Sequence, residues 1–215
     1  MKDFFRMMKK VIILVGSPRV NGSTVKIVEQ VNEILTRKGM ATEIVLLDWL
    51  ELVPCRGCGS CEDSGECVQK DEMQELWQKV ESSDGLVLAS PTYYSGVTAQ
   101  MKMFIDRTGK AKVIWDYKRN LPAGGRFSKG KRAMVISVCG QSGEKWLTGP
   151  LTEMRSLLHD LEIPVHSIIK MHGSDVGGGL FEGRPETRIE IVDATERFID
   201  GTEEIALYSK DEKDA

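Results

Sequence analysis

The chain has 215 residues, 41% of them hydrophobic, with 32 acidic and 29 basic side chains and a net charge of -3. That length supports one α/β domain with a substantial core, and the near balance of charge argues against a nucleic-acid-binding surface as the main function. No apolar run reaches the roughly 18 residues of a membrane span, so no membrane partner is expected.

The opening MKDFFRMMKK followed by VIILVG loosely imitates a signal peptide. The apolar run is only about six residues and no small-residue cleavage site follows it, so it is expected to lead into the first strand of a cytoplasmic protein. Lys10–Gly16 is a β-branched run bounded by glycine, the pattern of a strand buried on both faces. Val25–Lys38 places Val25, Ile27, Val28, Val31, Ile34 and Leu35 on one helical stripe, with Gly39 as the C-terminal cap. Thr42–Leu47 is a second strand, and residues 48–70 form a loop. Asp71 is expected to cap a helix running to about Ser82, with Met73, Leu76, Trp77 and Val80 inward. Gly85–Ser90 is a third strand, Val97–Thr108 a helix, Arg132–Val138 a fourth strand and Trp146–Leu161 a helix. A fifth strand at Pro164–Ile169 and a helix over Pro185–Leu207 follow, then a charged tail at Asp211–Ala215. The stretch 110–131, rich in Gly, Lys and Arg, reads as an irregular excursion. It is expected to be a solvated lid, or else a surface for an acidic electron-transfer partner or a dinucleotide phosphate.

Alternating strands and helices imply right-handed crossovers and an α/β, doubly wound five-stranded parallel sheet of flavodoxin-like order 2-1-3-4-5. The expected organisation is a single such domain over 1–215, with a cysteine-loop insertion at 54–70. Ligands of this fold bind where strand order reverses, at the carboxyl ends of strands one and three.

After strand one the chain reads Gly16-Ser17-Pro18-Arg19-Val20-Asn21-Gly22-Ser23-Thr24. Helix N-termini attract phosphate through unpaired N–H groups and a partial positive charge. Ser17, Ser23 and Thr24 add hydroxyls, Arg19 a charge, and Asn21 and Gly22 complete the turn. Without a GK[ST] ending or G-x-G-x-x-G, the loop suits one terminal monophosphate, as in FMN, better than NAD or ATP. An ordinary turn with Ser23 as helix cap is the plain alternative. After strand three come Pro91, Thr92, Tyr93, Tyr94 and Ser95, whose rings and hydroxyls could wall a flat redox ring or could be surface aromatics. After strand four come Cys139, Gly140, Gln141, Ser142 and Gly143, candidates for the ring's far side. Met101 and Met103 are candidates for packing a second subunit. Cys139 reads as a small buried hydrophobe and the three histidines as structural.

Together GSPRVNGST, SPTYYSGVTAQMKMFIDR and VCGQSGE resemble the NAD(P)H-dependent FMN reductase group of flavodoxin-like proteins. The resemblance implies that the first motif holds the FMN phosphate, the second packs along the isoalloxazine and the third covers its other edge. It also implies a homodimer or homotetramer.

Four of the five cysteines fall in PCRGCGSCEDSGEC, a C-x2-C-x2-C-x5-C pattern formed by Cys55, Cys58, Cys61 and Cys67. Three thiols at three-residue steps with glycines between them can wrap one face of a cubane, as ferredoxins do for 4Fe–4S. Structural zinc, which prefers two separated knuckles, and redox-active thiols remain alternatives. The run resembles the iron–sulfur flavoprotein branch of the family, which implies a 4Fe–4S cluster on these four residues near the flavin. The expected function is electron transfer between FMN and the cluster, both in one crevice, with ferredoxin-like or small-molecule partners and with NAD(P)H use open. The alternatives are an NAD(P)H-dependent FMN or quinone reductase lacking a cluster, and a non-catalytic flavin-binding redox or metal sensor.

Overall fold

The structure, a computed structural model, describes residues 8–122, 125–128, 130–174, 185–201 and 204–206. The expected leader before residue 8 and the tail at 211–215 lie outside the described residues. Five parallel strands form one sheet in the order β2-β1-β3-β4-β5: β1 Lys10–Val15, β2 Ala41–Leu46, β3 Gly85–Pro91, β4 Arg132–Val138 and β5 Val165–Met171. The expected sheet order is therefore observed. Val11–Val15 and Gly85–Ser90 are buried throughout, as continuous apolar runs require of strands covered on both faces. β2, at the sheet edge, buries only Val45.

Two apolar clusters cover the two faces. One packs Ile13, Val87 and Ile136 against Val28, Val31 and Leu35 of α1 (Ser23–Arg37) and Phe198 of the final helix. The other packs Ile12, Leu88 and Val135 against Leu76 and Trp77 of the helix over Met73–Glu81, and against Phe104 and Met154 of the helices over Ala99–Thr108 and Thr148–Asp160. In chain order, α2 is Cys61–Ser64, α3 Met73–Glu81, α4 Ala99–Thr108, α5 Trp115–Lys118, α6 Gly125–Ser128, α7 Thr148–Asp160 and α8 Pro185–Asp200.

Several expected bounds change; α4 and α7 begin two residues late, at Ala99 and Thr148, β2 lies one residue early, and β5 ends two residues late. α1 begins two residues early, at Ser23, because the turn closes at Gly22. α8 stops at Asp200 rather than Leu207: Gly201 turns left-handed (φ 61°), and the Ile205 amide then bonds the Val165 carbonyl beside β5 at 2.7 Å. The stretch expected to be irregular over 110–131 is largely helical. α4 runs on through a π-helical segment, Gly109–Ile114, into α5, and α6 follows. Among the described residues no helix is long and apolar enough to cross a membrane.

Candidate functional site

The loops leaving β1, β3 and β4 lie side by side because those strands are neighbours. The Gly16 amide donates to the Ala89 carbonyl at 2.8 Å, and the Thr92 amide to the Val138 carbonyl at 2.8 Å, joining the three loops into one rim. Thr98, the N-cap of α4, ties the rim together. Its hydroxyl donates to the Gly16 carbonyl at 2.7 Å and accepts from the Met101 amide at 3.3 Å, while its own amide donates to Ser90 Oγ at 3.2 Å. A Cβ on Gly16 would lie 2.7 Å from that hydroxyl, so only glycine lets β1 approach α4 this closely.

In the first loop Ser17 is buried, and its hydroxyl is engaged with the Arg19 backbone, accepting from the amide at 3.2 Å. Gly22 is the N-cap of α1 and no side chain caps the helix, so the plain alternative with Ser23 as cap is not what forms. Among the described residues, no side-chain cap engages the first turn of α1. Thr24 is buried, Ser23 and Gly22 are half-buried, and Arg19 and Asn21 are exposed.

In the second loop, Tyr93 and Gly96 exchange backbone hydrogen bonds of 2.9 and 3.0 Å around Tyr94 and Ser95, at φ 48° and 63°. Such a turn normally takes Asn-Gly, so two side-chain-bearing residues carry strain there. The Val97 amide is held by Glu153 of α7 at 3.2 Å. Tyr94 stands wholly in solvent, whereas Tyr93 is 41% exposed and partly covered by the chain. Pro91 ends β3, paired in register with Val138. Thr92 Oγ1 is buried yet has no hydrogen-bond partner among the described residues. In the third loop Gly140 and Gly143 are half-buried and Gln141 and Ser142 exposed, the Gln141 carbonyl accepting from the Gly173 amide at 2.8 Å. Cys139 is buried, as a small hydrophobe would be.

Cys55, Cys58, Cys61 and Cys67 all line one cavity together with Arg56, Gln69 and Lys110, and all are free thiols. Gly57 and Gly59 take left-handed φ values of 64° and 78°, which lets the chain turn between successive cysteines. Burial, then the nearby charges of Cys67, Cys55 and Cys58, push the Cys61 thiol up. Hydrogen bonds from Ser60, backbone first, draw the exposed Cys58 thiol down. A thiol whose ionisation three neighbouring cysteines oppose belongs to a donor set that a cation would stabilise. Among the described residues, no three His, Cys, Asp or Glu side chains already stand in a metal-ligating arrangement. The four cysteines fit a cluster in number and donor type, and their sulfurs would have to converge to hold one.

Sequence reasoning missed what holds this loop. Val53, before the cysteines, and Asp71, after them, meet at 3.0 Å through the Val53 amide and Asp71 Oδ2. Arg107 of α4 is 1% exposed and binds both: Nη1 donates to the Val53 carbonyl at 3.2 Å and pairs with Asp71. Burial would raise the Asp71 carboxyl, but hydrogen bonds from Arg107 and from the Val53 and Met73 amides, with the Arg107 charge, hold it below its ordinary value. Asp71 also meets the first amide of α3, Met73, at 3.2 Å, so part of its expected capping role is present. The excursion braces the other side. Trp115 packs on Gly65, Lys118 pairs with Glu62 at 2.6 Å, and Arg119 donates to the Glu62 carbonyl at 3.2 Å. These basic side chains serve the cysteine loop, where the sequence reading expected a solvated lid. A signal for Arg107 was present: it shares the buried stripe of α4 with Met101, Phe104 and Thr108, where a charge is out of place unless paired.

One helix, α4, carries a contact to each candidate site. Thr98 at one end of α4 touches the β1 loop, and Arg107 at the other end touches the cysteine loop, separated by roughly 14 Å of helical rise.

An iron–sulfur flavoprotein of Archaeoglobus fulgidus is 46% identical over 98 residues, covering 46% of this chain and 44% of that one. An iron–sulfur flavoprotein of Methanosarcina thermophila is 34% identical over 99 residues, 46% of this chain and 52% of that one. The chain thus spans about half the length of the curated relatives it matches. Among solved structures, an FMN-dependent NADH-azoreductase from Bacillus anthracis in complex with FMN superposes with a TM-score of 0.67 at 17% identity, covering 89% of this chain and 100% of that one. An NAD(P)H:quinone oxidoreductase from Methanothermobacter marburgensis gives 0.64 at 17% identity over 93% and 98%. At such identity the likeness concerns the fold alone. The family model for NADPH-dependent FMN reductase matches residues 9–169, and the chain belongs to that family.

Proposed function

We propose that the protein is a flavin-dependent oxidoreductase that holds FMN on the rim formed by the β1, β3 and β4 loops and a 4Fe–4S cluster on Cys55, Cys58, Cys61 and Cys67. The observation that carries the reading is the gathering of four thiols on one cavity in a chain of an FMN reductase family. FMN takes up two electrons and can release them singly, while a cluster carries one at a time. The chain's own residues bind and orient. The uncapped first turn of α1, with Ser17, Arg19, Asn21, Gly22, Ser23 and Thr24, takes the phosphate. The buried Thr92 hydroxyl, without a protein partner, is set to bond the flavin's polar edge, flanked by Pro91, Tyr93, Tyr94 and Ser95. Gly140, Gln141, Ser142 and Gly143 close the opposite edge. Electrons would pass to or from a ferredoxin-like or small-molecule partner or NAD(P)H, in a homo-oligomer.

The test is anaerobic purification followed by iron, sulfide and flavin analysis and a visible spectrum. About four irons and one FMN per chain, with broad absorbance bleached by dithionite, support the reading. The absence of ligating geometry among the described residues favours a second reading, an NAD(P)H-dependent FMN or quinone reductase without a cluster. Flavin bands alone with rapid NAD(P)H oxidation would select it.

A further inference from the structure

Arg107 is among the largest fully buried side chains of the protein, and a single carboxylate does not exhaust its five donors. Nη1 is committed to the Val53 carbonyl and to Asp71. Nε and Nη2 are buried with no hydrogen-bond partner among the described residues, an arrangement that costs free energy unless an acceptor arrives. Cys67 lies four positions before Asp71, lines the same cavity as Val53 and Asp71, and packs against the core cluster that contains Phe104 of α4. Trp77 closes another side of the guanidinium, its ring centroid 6.0 Å from Cζ. Water is therefore excluded from around the charge, and its field on neighbouring groups is strong.

We propose that Arg107 is a positioning residue that pins both stems of the cysteine loop and turns its spare guanidinium edge toward the Cys67 thiolate, thereby raising the reduction potential of the iron–sulfur cluster. The inference rests on the cluster reading given above. The sign follows from charge: reduction adds an electron, a buried cation stabilises the more negative form, and N–H donors to cluster sulfurs act in the same direction. Asp71 opposes the effect, since its carboxylate partly neutralises the guanidinium. Two partners at one site should therefore shift the potential in opposite directions, which loosening of the loop cannot mimic.

The experiment is an anaerobic optical and EPR redox titration of the cluster in the full-length holoprotein. It compares the parent with Arg107→Met, Arg107→Lys and Asp71→Asn, with iron content measured on each. The expected result is a lower midpoint in Arg107→Met, by a tenfold change in the one-electron equilibrium, about 59 mV. Arg107→Lys, which keeps the charge, should recover most of the loss, and Asp71→Asn should move the midpoint upward. An unchanged midpoint in Arg107→Met, or shifts of the same sign in Arg107→Met and Asp71→Asn, overturns the proposal. If Arg107→Met does not fold, Asp71→Asn is sufficient: a rise supports the proposal, and no change or a fall overturns it. A parent protein without iron would defeat the cluster reading itself, whereas an iron-loaded parent whose variants do not respond defeats only the assignment to Arg107.

Discussion

Thr92→Val separates a binding role from a packing role at the flavin rim, because the two predict opposite effects on the protein without flavin. Thr92 Oγ1 is buried and has no hydrogen-bond partner among the described residues. A desolvated hydroxyl that bonds nothing costs about 1–3 kcal/mol by mutational measure. Valine has nearly the same shape and replaces the hydroxyl with a methyl, so the flavin-free variant should be as stable as the parent or up to about 1 kcal/mol more stable. The flavin-bound protein, however, loses a hydrogen bond worth about 1 kcal/mol, which weakens FMN roughly fivefold. The assay pairs urea unfolding of deflavinated protein with fluorescence-quench titration of FMN. If FMN binds Thr92→Val as tightly as the parent, the hydroxyl does not face the flavin. If the deflavinated variant loses more than about 1 kcal/mol, the hydroxyl has a protein partner after all and the reasoning fails.

Thr98→Val strands the Gly16 carbonyl and removes the cap of α4, so it should cost about 2–4 kcal/mol in urea unfolding, while Thr98→Ser should retain most of the stability. Asp71 titrates below its ordinary value of 3.8 in the folded protein, so the stability it contributes is complete above that pH and is lost as pH falls toward the depressed native value. Urea midpoints measured from pH 6 to pH 3 should therefore fall less steeply in Asp71→Asn than in the parent. Gly65→Ala puts a Cβ 2.9 Å from the Trp115 ring at a φ of 74°, which should cost about 1–2 kcal/mol and reduce the iron retained after anaerobic desalting.

β1, β3 and β4 were legible as largely apolar runs between turn residues, with Arg132–Val138 bounded to the residue, whereas β2 and β5 carry Glu43, His166 and Lys170 and were placed one or two residues off. The rim followed from topology: once β1 and β3 are neighbours, their loops must meet. Local signals failed where tertiary contacts decide. The polar composition of 110–131 suggested loop, yet Lys118 and Arg119 find acceptors on α2 and Trp115 covers Gly65, so a helix forms there. The expected tyrosine wall came from two adjacent rings in a turn. No periodicity reports that a type I′ turn points Tyr94 entirely outward. The cysteine spacing identified a donor set but not what anchors it, because Val53, Asp71 and Arg107 meet only in the folded chain.

α4 is the element that relates the two sites. Its first turn is fixed by the Thr98 hydroxyl on the β1 loop, and its last by the Arg107 guanidinium on the stems of the cysteine loop. Between them Met101 and Phe104 are fully buried in the core cluster, so the helix cannot slide without opening a cavity, a change that costs about 2–5 kcal/mol for one large side chain. The anchors of the β1 loop and of the cysteine-loop stems are thus both set on one packed helix. The basic residues that follow α4 add to the same rigidity, since they hold α2 in place against α5. Arg107 is consequently the residue at which fold stability and the proposed redox function are hardest to separate. For that reason its role is better judged by the sign of a potential shift than by loss of activity.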